Sequence, residues 1–548
     1  MLVHEKLAQM VVAEGVACHF TLLGDANMFF ADSLDQLGVK SVHVRHEHCA
    51  CSMAMSYARA AGDIGFCSVT CGPGLTQLAT ALPAAVRASI PLVIFAGENP
   101  LHKAWYNQQL EQGPIVRALG AEYIQIHSTQ QIPTKLREAF LNARLFQRPV
   151  VIGVPMDLQH EPWNGPQDYV PSSSIMPNPS PLHPSPAALE EAARLIDSSK
   201  RIVLVAGRGA YLAQAAEACV ALADRCGALL ATTLPARGMF GEHAFDLGVA
   251  GGFSSELARE KLGEADLIIA VGASLAQHTR DGGKLFQQAR ILQVDISPSG
   301  IRQGAVVATD FLQGDASICT EKLAELVAKR DVSEDWRSER LQQRIATEPS
   351  DSTNFPADPY LDPRAVIARL QDVLPKDWEM VNSSGHCSYF SAQMRGWAAR
   401  NFHVIREFGA IGNGLSYAIG VAAARPDNTV VLIDGDGSLL MHVQELETIR
   451  RNGFKILICI LNDGAYGSEI HKLRSKGMHD GGASHGRGDL AAVAQGFGLG
   501  GRIITELSGL EQLLEDFKKT DGSALWDFHI SDQITSPVMR RAHPVSRK

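Results

Sequence analysis

None of the ten cysteines pairs with another in a CxxC spacing, and the nearest two, Cys49 and Cys51, have one residue between them. That suits neither a zinc ligand pair nor a disulfide staple. No apolar run approaches the ~18 residues that cross a bilayer. The longest, such as Ile456–Leu461, are the size of a buried strand. The opening stretch, Met1 to Val11, has no basic segment leading into a long apolar core, so no export signal is read there. Unpaired thiols in a large chain without such a signal predict a reduced, cytoplasmic protein with no membrane attachment. Basic residues are not in excess either. Lys and Arg number 50 against 59 Asp and Glu, a net charge of −9, which argues against a nucleic-acid binder.

What is present is length and regular alternation. A chain of 548 residues predicts roughly three or four domains. Two proline-rich stretches act as linkers. Pro171–Pro186 (PSSSIMPNPSPLHPSP) is not expected to sustain a helix or a central strand, and Pro349–Pro363 (PSDSTNFPADPYLDP) is the second. They leave blocks 1–170, 187–348 and 362–548. In the first block Cys67–Thr70, Leu92–Ala96 and Val150–Val154 read as strands. In the second Ile202–Ala206, Leu267–Val271 and Ile291–Val294 do, and in the third Val430–Ile433 and Ile456–Leu461. Continuous β-branched runs with helical patterns between them predict parallel sheets covered on both faces. The expected fold class is therefore α/β, three parallel-sheet domains built from βαβ steps. Ligands in such folds bind beyond the carboxyl ends of strands.

The strongest motif sits at such an end. The strand VVLID runs into Gly435-Asp436-Gly437-Ser438 and then a helical pattern, LLMHVQELETIRRNG. A second strand, KILICILN, ends in Asp463-Gly464-Ala465, with Asp463 placed 27 positions after Asp436. A carboxylate beside the free N–H groups of a helix start makes a place for a diphosphate. Phosphate and carboxylate oxygens together suit a hard cation such as Mg²⁺. GDG alone is a common turn. GDGS followed at this spacing by LND is far more specific.

Here the sequence resembles the thiamine-diphosphate enzyme superfamily, whose signature is GDG, a spacer of under thirty residues, then NN. Its acetolactate-synthase-like branch gives the nearest pattern, and the similarity covers essentially the whole chain. The resemblance implies a pyrimidine-binding domain at 1–170, a central domain at 187–348, and a diphosphate- and metal-binding domain at 362–548. It implies Asp436 and Asp463 as side-chain ligands of Mg²⁺ and the carbonyl of Ala465 as a third. Asp463 departs from the usual asparagine and adds a negative charge beside the diphosphate. Gly435, Gly437, Ser438, Tyr466 and Gly467 become cofactor contacts.

The other half of the site is implied in the first block. Arg45-His46-Glu47-His48, after the strand SVHV, resembles the family's RHE motif opening a helix. Glu47 then bonds N1′ of the aminopyrimidine and favours the imino form, whose 4′-nitrogen can take the proton from thiazolium C2. Glu407-Phe408-Gly409-Ala410-Ile411-Gly412 matches the element that bends the cofactor, with Ile411 as wedge and Ala410 as a contact; an ordinary core isoleucine is the alternative. Ser384-Gly385-His386-Cys387 matches the diphosphate-contacting segment, so Gly385, His386 and Cys387 are expected at the cofactor, although His386 also fits a satisfied loop histidine. Cys71-Gly72-Pro73-Gly74 resembles the GPG turn, with Gly72 against the cofactor. Gln108 to Pro114 resembles the loop written FQETP in acetolactate synthases. Gln112 is its catalytic candidate, and solvated glutamines are the alternative. Glu469 falls where simple decarboxylases keep a proton-relay glutamate, or else pairs on the surface with Lys472 or Arg474.

Departures narrow the activity. Asn107-Gln108-Gln109 stands where pyruvate decarboxylases carry a His-His pair, and Thr70 where benzoylformate decarboxylase has histidine. Ligation or cleavage of a carbon–carbon bond is thus favoured over simple aldehyde release. Gly272 to Thr279 lacks the Arg and acidic pair of the flavin segment, and Gly207-Arg208-Gly209 is only a partial dinucleotide turn, so FAD is not expected. The implied function is a lyase or carboligase acting on a 2-keto acid, with a pyruvate-type donor. Alternatives are a hydrolase or lyase of a cyclic 1,2-dicarbonyl compound, a simple 2-keto acid decarboxylase, a lyase for acyl-CoA substrates, a nicotinamide dehydrogenase and a non-catalytic paralogue. Glu47 and Asp436 lie about 390 residues apart, and in the family such half-sites meet between subunits. A homodimer is the smallest working unit so implied, and a tetramer is common. The expected partner is a small-molecule substrate.

Overall fold

Short β-branched runs bounded by glycine become the strands of three six-stranded sheets, parallel throughout. The structure, a computed structural model, describes residues 1–177, 180–241, 243–298, 307–330 and 336–544. The first sheet comprises β1 (Cys18–Thr21), β2 (Lys40–His43), β3 (Gly65–Val69), β4 (Leu92–Glu98), β5 (Glu122–Gln125) and β6 (Pro149–Pro155), in the order β2-β1-β3-β4-β6-β5. The second comprises β7 (Ile202–Ala206), β8 (Leu229–Thr232), β9 (Asp246–Val249), β10 (Leu267–Val271), β11 (Arg290–Asp295) and β12 (Asp310–Gln313), ordered β12-β11-β10-β7-β8-β9. The third comprises β13 (Glu379–Asn382), β14 (Phe402–Val404), β15 (Val430–Gly435), β16 (Ile456–Asn462), β17 (Gly500–Ile504) and β18 (Ala524–His529), ordered β14-β13-β15-β16-β18-β17. The central strands β4, β7, β10 and β16 are buried along their whole length. Burial on both faces is why they read as unbroken apolar runs rather than alternating ones. The runs read as strands from sequence all lie in this set, with Thr70 one residue past β3. Among the described residues no helix is long and apolar enough to cross a membrane.

The first and third domains share a core. The helix Glu47–Ala61 crosses the helix Gly414–Ala424 so closely that a Cβ at Gly420 would lie 2.1 Å from Ser56 Oγ and 2.2 Å from the Met53 carbonyl oxygen. Only glycine permits that approach. Around the crossing, Met53, Cys49 and Ala54 pack in one apolar cluster with Tyr417, Ala418 and Val421. The central domain has its own core around β7, β10 and β11.

One linker is more ordered than its composition predicts. Ser172–Ile175 forms a turn of helix directly after Pro171. Its stabilising partner is distant in sequence: the fully buried Glu14 carboxylate accepts from Ser172 N–H (2.8 Å) and Ser172 Oγ (2.6 Å), from Arg144 Nη1 (2.9 Å) and from the Tyr169 hydroxyl. A buried acceptor supplies what a free helix start lacks, and local composition cannot report it. Residues 178 and 179 of the same stretch lie outside the described residues. In the second linker the Asp351 carboxylate, also buried, accepts from Arg540 Nη2 at 2.7 Å, and Asp362 caps the helix Pro363–Val373 by accepting from Arg364 N–H at 2.8 Å.

Candidate active site

Two adjacent strand ends build the larger half of the site. β15 delivers Asp436 to the first turn of the helix Asp436–Met441, and β16 delivers Asp463 to the turn before the helix Gly467–Ser475. A cavity of about 440 Å³ opens over both. Gly435 to Ser438, Asp463, Ala465, Tyr466 and Gly467 line it, as do Gly385, His386, Cys387 and Ile411 from the neighbouring loops. Ala410 lies between the lining residues Gly409 and Ile411 and does not itself line the cavity.

The two carboxylates are almost fully buried with little to neutralise them. Asp436 Oδ2 has no hydrogen-bond partner, and the nearest cationic candidate, His485 Nε2, is 3.7 Å away. Asp463 Oδ1 accepts from Ala465 N–H at 3.1 Å. Burial pushes the Asp436 carboxyl up to about 7. Burial, and then the charge of Asp436, pushes Asp463 well up as well. A buried, unneutralised carboxylate pair with an orphaned oxygen is the donor set a hard divalent cation satisfies. Ser384 Oγ, at the same wall, is likewise buried without a partner.

Space at the floor is set by glycine. A Cβ on Gly467 would stand 2.4 Å from Asp463 Oδ2 and 3.1 Å from His386 Nδ1, and one on Gly437 would meet the Tyr466 ring at 2.8 Å. Ile411 is half-buried rather than a core residue, with its Cγ2 3.6 Å from where a Gly385 Cβ would be. His386 combines both readings made of it. Its Nε2 accepts from Ser536 N–H at 3.1 Å, while the ring lines the cavity. That bond leaves Nδ1 to carry the proton of the neutral ring, and burial holds the imidazole well below its usual pKa. Glu469 sits at the rim, half-exposed, and accepts from Lys472 Nζ at 2.9 Å. Arg474 is taken instead by Asp480 and Asp532.

Glu47, Gly72 and Gln112 form a separate half. Glu47 opens its helix, where a carboxylate is favoured, and is half-buried, which raises its pKa. The GPG turn lies beside it: a Cβ on Gly74 would be 3.5 Å from Glu47 Oε1. Gly72 has φ +61°, and a Cβ there would be 2.2 Å from the Gln108 carbonyl oxygen. Gln112 is buried, not solvated. Its Oε1 accepts from Gly72 N–H (3.0 Å) and its Nε2 donates to the Gly97 carbonyl (3.0 Å), so it braces the turn rather than presenting a free polar group. All residues lining the larger cavity come from 384 to 530; the two halves do not meet within one chain. They touch through their backs, where His48 Nε2 donates to Asn413 Oδ1 at 2.6 Å, across 365 positions of sequence.

Several residues had no sequence signal. Arg406 lines the cofactor cavity with its guanidinium 4.4 Å over the Phe253 ring. Glu98, buried behind the Gly72 turn, accepts from the Tyr123 hydroxyl and from Gln125 Nε2 (3.0 Å). In the central domain the partial dinucleotide turn is closed: a Cβ on Gly207 would be 2.3 Å from the Gly272 carbonyl oxygen, and one on Gly209 2.9 Å from Gly272 Cα.

Three family models match the chain. Residues 1–117 match the model for the N-terminal TPP binding domain of thiamine pyrophosphate enzymes, 189–323 that for the central domain, and 383–528 that for the C-terminal TPP binding domain. The chain is 30% identical to the acetolactate synthase isozyme 2 large subunit of Escherichia coli, over 96% of this chain and 95% of that protein. It is 29% identical to the probable acetolactate synthase large subunit of Methanococcus aeolicus (96% and 91%), and 30% identical to acetolactate synthase 2, chloroplastic, of Nicotiana tabacum (85% and 71%).

Proposed function

The chain belongs to the thiamine pyrophosphate enzyme family, and from that premise we propose that it is a thiamine-diphosphate-dependent carboligase of the acetolactate-synthase type, acting on a 2-keto acid with a pyruvate-type donor. The observation that carries the reading is the buried carboxylate pair, Asp436 and Asp463, at adjacent strand ends under a cavity lined by Gly435, Gly437 and Gly467. Asp436, Asp463 and the carbonyl of Ala465 would hold Mg²⁺. Gly435 to Ser438, Gly385, Cys387 and the protonated Nδ1 of His386 would receive the diphosphate. Thiamine diphosphate, when bound, would supply the nucleophilic carbon and the electron sink that a 2-keto acid needs.

The side chains do the rest. Glu47 holds the proton at N1′ of the pyrimidine. Ile411, which lines the cavity and follows Ala410 in sequence, would be the apolar side chain against the cofactor. Gln112 acts through Gly72, keeping the GPG turn in place, and Tyr466 and Gly467 shape the floor beside the metal. Glu469, with Lys472, moves a proton at the rim. Because no residue of the first domain lines the cavity within one chain, Glu47 is contributed by a second copy, and a homodimer is the smallest active unit. FAD is not part of this reading, because Gly272 to Thr279 lacks the Arg and acidic pair of the flavin segment. The enzyme works in the reducing cytoplasm, where its thiols stay free.

Proton NMR of products tests the proposal, with enzyme, thiamine diphosphate, Mg²⁺ and pyruvate, alone and with an added aldehyde. Acetolactate or a mixed hydroxyketone is expected. If pyruvate is not consumed, the donor assignment fails.

A further inference from the structure

A second cavity, of about 330 Å³, opens where all three domains meet, and it shares no lining residue with the cofactor cavity. Its volume falls within the range of small-molecule sites. Five arginines line it: Arg59, Arg144, Arg208, Arg400 and Arg425. Asp63 is the one carboxylate among the lining residues.

The arginines are unequally neutralised. Arg144 is matched by Glu14 at 2.9 Å and Arg59 by Glu407 at 3.2 Å. Arg425 has Glu379 only at 3.9 Å, and that carboxylate is already engaged by His403 Nε2 at 2.6 Å. Arg208 is bonded to the carbonyls of Ala88 and Ser89, and Arg400 Nε to Asn401 Oδ1. Neither has a carboxylate within 4.0 Å among the described residues. Burial and the nearby Arg59 hold the Arg208 guanidinium down to about 10. A guanidinium carries five N–H donors, so Arg208 keeps donors beyond its carbonyl bonds. An uncompensated, partly buried cation such as Arg208 is costly, and an anion placed beside it, with the exposed Arg400 and Arg425 at the rim, offsets that cost. Ile64, Ile90, Leu212 and Phe402 give the same cavity apolar walls.

We propose that this junction is a binding site for a small phosphate ester, with the phosphate held by Arg208, Arg400 and Arg425 and the organic group against the apolar wall. Guanidinium forks match phosphate oxygens in geometry and charge. The site is independent of the cofactor reading, since it uses none of those residues.

Isothermal titration of the full chain, saturated with thiamine diphosphate and Mg²⁺, with phenyl phosphate as probe, tests it. One saturable site per chain is expected, weakened by added salt and unaffected by excess cofactor. The double variant Arg400→Gln, Arg425→Gln alters two exposed side chains, losing the Arg425 bond to the Ala60 carbonyl (2.7 Å), and should bind at least about tenfold more weakly; Arg400→Gln alone, which loses only a bond to the neighbouring Asn401, should weaken binding in the same direction. Phenol, which has the ring without the charge, should not compete. Absence of saturable heat, undiminished binding by the double variant, displacement by excess cofactor, or equal binding of phenol would each overturn the proposal.

Discussion

Exchanging Glu47 for glutamine removes an ionisable carboxyl, and with it a proton acceptor, while keeping the side chain's shape. The stability change should be small. The residue lies in the first turn of its helix, where a carboxylate is worth ~0.3–1 kcal/mol. Burial already raises its pKa, so part of that gain is cancelled in the native enzyme and the net loss is under about 1 kcal/mol. The turn Gly72 to Gly74 keeps its spacing, since the amide occupies the carboxyl's volume beside Gly74. Turnover should behave differently. Loss of a positioned proton acceptor lowers kcat by roughly 10²–10⁴-fold, or about 3–5 kcal/mol of barrier. Cofactor affinity from titration calorimetry, thermal unfolding and kcat measured on one preparation separate these effects. Near-normal turnover by the glutamine variant would refute the assignment of Glu47. So would a loss of folding large enough to explain the lost activity.

Asp463→Asn keeps the acceptor for Ala465 N–H but deletes one of the two buried charges, so the Mg²⁺ concentration needed for cofactor binding should rise without the site being abolished; tighter Mg²⁺ binding would argue against Asp463 as a ligand. Gly420→Ala forces a methyl group into Ser56 and the Met53 carbonyl and should cost about 1–3 kcal/mol in urea unfolding; an unchanged midpoint would mean that the two helices do not cross there. Glu469→Gln breaks a half-exposed pair with Lys472 worth under about 1 kcal/mol, so the melting temperature should hold while the ratio of ligated to simply decarboxylated product, read by NMR, shifts. An unchanged product ratio would make Glu469 a surface residue only.

The sequence made the fold legible because its central strands are buried on both faces. Val430–Ile433 and Ile456–Leu461 needed no partner to be identified, and their ends carried Asp436 and Asp463 with the spacing on which the proposed metal and diphosphate site rests. What sequence could not supply was side-chain bonding to distant partners that no motif marks. Gln112 reads from sequence as a catalytic candidate or a solvated glutamine, and neither reading includes Gly72 and Gly97, which take both ends of its amide. His386 admitted two readings because Ser536, which fixes its tautomer, arrives 150 positions later. Arg406 lacked any motif and reaches the cavity only because the loop after β14 turns it inward. The helical turn after Pro171 depends on the carboxylate of Glu14, 158 positions upstream, in a stretch whose composition argues for irregular chain.

The packing of Glu47–Ala61 on Gly414–Ala424 also has a temporal side. Synthesis runs from the N-terminus, and domains generally fold as they emerge. The first domain is translated early, yet one flank of its core is supplied by a helix that appears only after residue 413. Until then Met53, Cys49 and Ala54 have no cover on that side, and the nascent chain must carry an apolar face through the making of the entire central domain. The central domain has no such debt to later sequence for its own core and can close while still near the ribosome. Chaperone engagement during translation should therefore concentrate on the first domain, and end when the Gly414–Ala424 helix is released.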